Sequence, residues 1–223
     1  VRGWRGGNNW LNAELIISRK QLLNRYLNKL IKSSKQENPD FVKKICFISI
    51  NLSGQSLVEQ AVLEEICALF STTGVPGHKI CFEITETAAI SNLDVAVEFM
   101  SRLKSLGCKF ALDDFGSGFS SFAYLKSLPV DYLKIDGMFV KDINDDPIDF
   151  AMVKTINEIG QIMGMKTIAE FVENDLIKEH LKEINVDYVQ GYGVEAPKPL
   201  SLILSANSQR EATWITESVE SYC

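Results

Sequence analysis

No stretch of this chain stays apolar for the roughly 18 residues that a membrane-spanning helix needs. Its long apolar runs, such as residues 45–50, have the length of a strand. The opening is polar and glycine-rich, so no signal peptide is read there. It starts on Val rather than Met, which does not mark a natural start. Runs of Lys or Arg are missing and the formal net charge is −6. That excludes the basic footprint of a duplex nucleic-acid binder. An anionic small ligand stays open, because a bound divalent metal can supply local positive charge. Histidine is scarce: His78 and His180 stand in polar, turn-like or helix-end surroundings and read as surface residues. A His-based zinc site or catalytic triad is thereby excluded. The cysteines are Cys46, Cys67, Cys81, Cys108 and Cys223, an odd number with no C-x-x-C spacing. A disulfide framework is not expected, and a reducing, cytoplasmic location is.

What is present is enough for one sizeable core, with 46% apolar residues in a chain of 223. Residues 1–9 read as loop and residues 22–30 as helix. An alternation then begins. Strands are expected at 45–52, 79–86, 108–113, 130–135, 166–169 and 186–189. Helices are expected at 56–71, 92–106, 149–163 and 176–184, with a short helix after the Gly/Ser loop at 115–121 and a terminal helix beyond residue 200. Strand–helix alternation with near-continuous apolar strands predicts a parallel sheet covered by helices. Open doubly wound sheets and closed barrels both fit. The absence of G-x-G-x-x-G after the first strand weakens a dinucleotide-binding reading.

The polar residues fall at one end of these strands. Asn51 ends the first. Glu83 and Glu86 close the second, Asp113 and Asp114 the third. Lys134 and Asp136 flank the end of the fourth, Glu170 and Glu173 follow the fifth, and Gln190 follows the sixth. In a parallel barrel all these ends open on the face where active sites are built. Oxygen donors of this kind suit Mg²⁺ or Mn²⁺. Several carboxylates gathered without a cation would repel one another. Lys134 adds a fixed positive charge, and a carboxylate beside a metal-bound water can act as general base. The residues therefore point to metal-assisted hydrolysis of an anionic substrate such as a phosphodiester. Taken singly, an acid after a strand is commonly a helix cap. Asp136 and Glu173 suit that role, and Asp114 could cap the loop after it. That loop reads as a lid, as a turn that binds phosphate, or as a plain connection.

The motifs, in order, are Asn51-Leu52-Ser53, Glu83-Ile84-Thr85-Glu86, Asp113-Asp114-Phe115-Gly116-Ser117-Gly118, Lys134-Ile135-Asp136, Ala169-Glu170-Phe171-Val172-Glu173 and Gln190-Gly191-Tyr192. Together they resemble the EAL family of cyclic di-GMP phosphodiesterases across nearly the whole chain. The resemblance implies an α/β fold, a modified TIM-type (β/α)8 barrel over residues 1–223 as a single domain. It implies opening of cyclic di-GMP to linear pGpG with Mg²⁺ or Mn²⁺. Asn51, Glu83 and Asp113 resemble metal ligands, and Asp114 a ligand of a second ion. Lys134 resembles the lysine that orients the nucleophilic water, and Glu170 the general base. Glu86 looks like the anchor of the loop after Asp113, and Gln190 like a substrate neighbour. A homodimer and flanking sensory or diguanylate cyclase-type domains are implied, with no membrane contact by this domain, although the parent protein could be tethered to one.

One departure stands at the start. The family's first motif is Glu-x-Leu-x-Arg, and Val1-Arg2-Gly3 resembles only its tail. Arg2 would then contact a substrate phosphate. Without the glutamate and its strand, a weaker metal site and an unpaired sheet edge are expected. The chain is expected to be a piece of a longer, competent enzyme. The rival is a catalytically impaired domain that serves as a cyclic di-GMP receptor or a protein-interaction module.

Overall fold

The computed structural model describes residues 47–117 and 122–196, with short strands at 13–14, 16–17 and 215–216. The expected loop at 1–9, the helix at 22–30, the terminal helix and Arg2 lie outside the described residues. The chain divides into two compact units. Of the described residues, the first comprises 84–97, 110–117 and 122–196; the second comprises 13–14, 16–17, 47–83, 98–109 and 215–216.

In the second unit, β1 (Ala13–Glu14) pairs in parallel with β9 (Ile215–Thr216). Strand β2 (Ile16–Ile17) pairs in parallel with β3 (Ile48–Leu52), matching Ile16 to Asn51. Strand β2 thus covers β3 at its last two residues. Strand β3 pairs in turn with β4 (Ile80–Thr85). The helix expected at 56–71 is two helices, α1 (Gly54–Val58) and α2 (Gln60–Thr73). Glu59 between them is extended, and its carbonyl accepts Val62 N–H at 2.9 Å to restart the helix. No Gly or Pro announces that break. Helix α2 buries Val62, Leu63, Ile66 and Phe70, one helical face, and ends at Gly74 with φ 68°.

Thr85 closes β4 and caps α3 (Glu86–Ser91), so Glu86 opens a helix rather than ending the strand. Helix α4 (Leu93–Lys104) buries Ala96, Phe99, Met100 and Leu103 at helical spacing.

The first unit holds β5 (Lys109–Phe115), β6 (Tyr132–Ile135), β7 (Lys166–Ala169) and β8 (Tyr188–Val189), with successive parallel pairing from β5 to β8. Residues 132–135 are buried without alternation, as parallel strands covered on both faces must be. Asp136 caps α5 (Gly137–Val140) by accepting Met138 N–H at 2.8 Å, its cap role in fact. Helix α6 (Pro147–Ile162) starts with Asp146 as cap and proline in its first turn, where no N–H is needed. It buries Val153, Ile156, Asn157 and Gly160. Gly160 is required there: a Cβ would press on Thr167 and Leu133, so the helix lies close against β7 and β6. Helix α7 (Asp175–Glu183), capped by Asn174, buries Ile177 and Leu181. The fold is α/β, with parallel strands and intervening helices. No helix among the described residues is long and apolar enough to cross a membrane.

Candidate functional site

The site in the first unit begins with an irregularity. Leu112 is registered with Leu133, but Phe115 with Ile135. Strand β5 therefore spends one more residue than β6 across Asp113 and Asp114, a bulge of the kind that re-aims side chains. Asp114 takes φ 53°, a left-handed conformation that Asp tolerates better than most residues. The result separates two neighbouring acids: Asp113 is buried and Asp114 is exposed. The main-chain N–H of Asp114 donates to Asp113 Oδ1 at 3.1 Å.

Opposite the bulge stands Lys134. Its side chain is 1% exposed, and its Nζ lies 2.7 Å from Asp113 Oδ1 and 2.8 Å from Glu170 Oε1. A buried ammonium is costly unless paired and hydrogen-bonded. Here one ammonium joins the ends of three adjacent strands. Carboxylate oxygens of Asp113, Asp114 and Glu170 also lie within 4.8 Å of one another. Three carboxylates against one ammonium leave a formal charge of −2 at this spot. The donor set fits a hard divalent cation in both chemistry and charge.

Glu86 is 2% exposed and reaches the loop that leaves β5. Its Oε2 accepts Gly116 N–H at 3.2 Å, and its Oε1 accepts the hydroxyl of Tyr124. Gly116 adopts φ 100°, a conformation that favours glycine, and a Cβ there would press on the ends of the Ile156 and Phe139 side chains. Both sides of the bulge are thereby tied down. Nothing in the residue pattern singled out Tyr124; its partner lies 38 residues earlier. Phe115 and Phe122 pack on each other with ring centroids 5.8 Å apart, so these rings serve packing.

Gln190 follows β8. Its N–H donates to Ala169 O at 2.8 Å, and its carbonyl accepts Val172 N–H at 2.9 Å. Glu173 is exposed. Asn51 and Glu83 belong to the second unit, where they are direct register partners on β3 and β4; Glu83 is 1% exposed.

A family model described as "EAL domain" matches residues 15–197. The chain belongs to the EAL domain family. It is 49% identical over 154 residues to the cyclic di-GMP phosphodiesterase PdeB of Shewanella oneidensis, covering 69% of this chain and 18% of that protein. It is 41% identical over 173 residues to the cyclic di-GMP phosphodiesterase PdeA of Borreliella burgdorferi, covering 77% of this chain and 26% of that protein. The chain thus spans about a quarter or less of these relatives. Among solved structures, it is similar to a complex described as "PaMucR Phosphodiesterase, c-di-GMP complex", at 26% identity and a TM-score of 0.74 over 82% of this chain and 74% of that one. The EAL fold is TIM-barrel-like, as the resemblance of the motifs implies.

Proposed function

We propose that this EAL domain hydrolyses cyclic di-GMP to linear pGpG with the help of Mg²⁺ or Mn²⁺. The observation that carries the reading is Lys134 bridging Asp113 and Glu170, with Asp114 beside them and a formal charge of −2 left over. A pure receptor has no evident need of Asp113, Asp114, Lys134 and Glu170 all together. The named activities of PdeB and PdeA support the substrate.

In this reading Lys134 does two things. It holds Asp113 and Glu170 in one fixed geometry, and it keeps a positive charge where the phosphodiester's charge grows. Glu170, whose side chain is 10% exposed, meets solvent along one edge. There it accepts a proton from the attacking water as the new P–O bond forms and the bond to the leaving sugar oxygen breaks. A divalent cation bound by Asp113, with a second ion at Asp114, would supply Lewis-acid stabilisation of the phosphoryl oxygens and a more acidic water. Glu86 holds the loop after the bulge through Gly116 and Tyr124. Asn51 and Glu83 keep the ligand roles, and Arg2 and Gln190 the substrate contacts, that the motifs imply. For the protein as a whole we place the reaction in the cytoplasm, in a homodimer with flanking sensory or cyclase-type domains.

The test pairs calorimetry with a product assay. Turnover is expected with added Mg²⁺ or Mn²⁺, lost on chelation, and lost in Asp113→Asn. Cyclic di-GMP binding without product at any metal concentration would sink the reading.

A further inference from the structure

Asp113 does not offer its two oxygens alike. Its Oδ1 accepts Lys134 Nζ at 2.7 Å and the main-chain N–H of Asp114 at 3.1 Å. An ionised carboxylate has about four acceptor sites, shared between its two oxygens. Those of Oδ1 are therefore in use, and a cation meets Asp113 through Oδ2.

Neither donor steps aside readily. Lys134 is 1% exposed and stands on β6 between the acids of β5 and β7, with Glu170 Oε1 at 2.8 Å on its other side. Swinging away from Asp113 would leave a buried ammonium with one partner fewer, in a place closed to solvent. The Asp114 N–H is fixed by the bulge and by the left-handed backbone at φ 53°. Glu86 secures the chain just beyond, by accepting Gly116 N–H at 3.2 Å.

A carboxylate locked in this way discriminates between ions. Ca²⁺ gathers about six to eight oxygens and often takes both oxygens of one carboxylate. Mg²⁺ and Mn²⁺ form octahedral oxygen sites, in which single carboxylate oxygens are completed by water and substrate phosphate. One ligand oxygen on Asp113 suits the octahedral ions and leaves Ca²⁺ short. Repulsion by the ammonium falls alike on any divalent ion, so charge does not tell them apart. The number of oxygens within reach does.

We propose that Lys134 determines cation specificity: by holding Oδ1 of Asp113 it limits that carboxylate to one ligand oxygen, and so selects Mg²⁺ or Mn²⁺ over Ca²⁺. This rests on the metal-dependent part of the reading above. It gives Lys134 a task that precedes substrate and is readable without turnover.

The experiment is calorimetric titration of Mn²⁺ and of Ca²⁺ into the chain in the absence of nucleotide. Wild type is expected to bind Mn²⁺ more tightly than Ca²⁺. In Lys134→Met that preference should shrink by about tenfold or more, the scale on which partners of ligating side chains act. Lys134→Gln keeps a donor on a shorter side chain, so it strands less charge and guards against a methionine variant that fails to fold. Its preference should shrink by about threefold, in the same direction. A preference that stays at the wild-type value in either folded variant overturns the proposal, as does a wild type that binds Ca²⁺ as tightly as Mn²⁺. A wild type that binds neither ion overturns it together with the metal-dependent reading. Turnover with Mn²⁺ alongside a preference that ignores Lys134 overturns this proposal alone, which separates the two failures.

Discussion

Strand β7 carries a polar network at each end, and the two are built on opposite principles. At its N-terminal end Thr167, Asn157, Lys166 and Asp187 satisfy one another. Asn157, fully buried, donates to Ile184 O at 2.7 Å and accepts the Thr167 hydroxyl at 2.5 Å. Asp187 accepts Thr167 N–H at 3.1 Å and pairs with Lys166 at 2.5 Å. Donors match acceptors, and one Lys offsets one Asp. At the C-terminal end the Asp113, Asp114, Lys134 and Glu170 cluster gathers three carboxylates about one ammonium, and left-handed backbone at Asp114 and Phe171 flanks it. A satisfied network fixes a fold, whereas surplus like charge and strain persist only where something else uses them. On the proposed function, stability and chemistry fall at different ends of the same strands.

The largest test of that division is Glu170→Gln. The amide keeps the shape and can still accept from Lys134, but it cannot take a proton. Turnover is expected to fall by about 10²–10⁴-fold, the usual contribution of a general base. The thermal midpoint should stay level or rise, because one of the surplus charges is gone. A marked drop in melting temperature would mean that the cluster is structural after all.

Lys134→Met should damage both properties. Removing the ammonium leaves two carboxylates buried without their partner, at a cost of about 3–5 kcal/mol in stability. Added Mg²⁺ is expected to recover more melting temperature in this variant than in wild type, since a cation gains most where repulsion is largest. Equal metal responses would argue against cation binding at these carboxylates.

At the other end of β7, Asn157→Ala breaks three hydrogen bonds, with Ile184 O, the Thr167 hydroxyl and the Gln161 amide. It should cost about 1–3 kcal/mol, read as a lower midpoint in chemical denaturation. Turnover per folded molecule, measured well below the melting transition, should not change. If kcat falls as steeply as stability, the two ends are coupled and the division fails.

How far the sequence foretold these networks depends on the range of the interactions. Strand–helix alternation shows in local periodicity, so β7 appears within its true bounds and α6 and α7 within two residues. The acids and Lys134 stand out because polar residues at the ends of buried strands are costly and therefore conspicuous. The break at Glu59 and the short helix α3 depend on capping by single side chains, which periodicity does not register. Pairing of Asp113 and Glu170 through one lysine, and of Tyr124 with Glu86, depends on tertiary packing over tens of residues. Phe171 passed as one more apolar residue in the sequence because only its backbone angle and its exposure set it apart.

The smallest expected effect falls on Lys166→Ala. The Lys166–Asp187 contact is short, but the Lys side chain is 57% exposed. Water screens such a pair, and ordering a long side chain offsets most of the attraction. The Asp187 carboxylate would not be stranded either, since the main-chain N–H of Thr167 still donates to it at 3.1 Å. A change of about 0.5 kcal/mol or less is expected, shrinking further as salt is added. Turnover should be untouched. A loss comparable to that of Asn157→Ala would show that the ion pair, rather than the buried amide, holds the N-terminal end of β7 together.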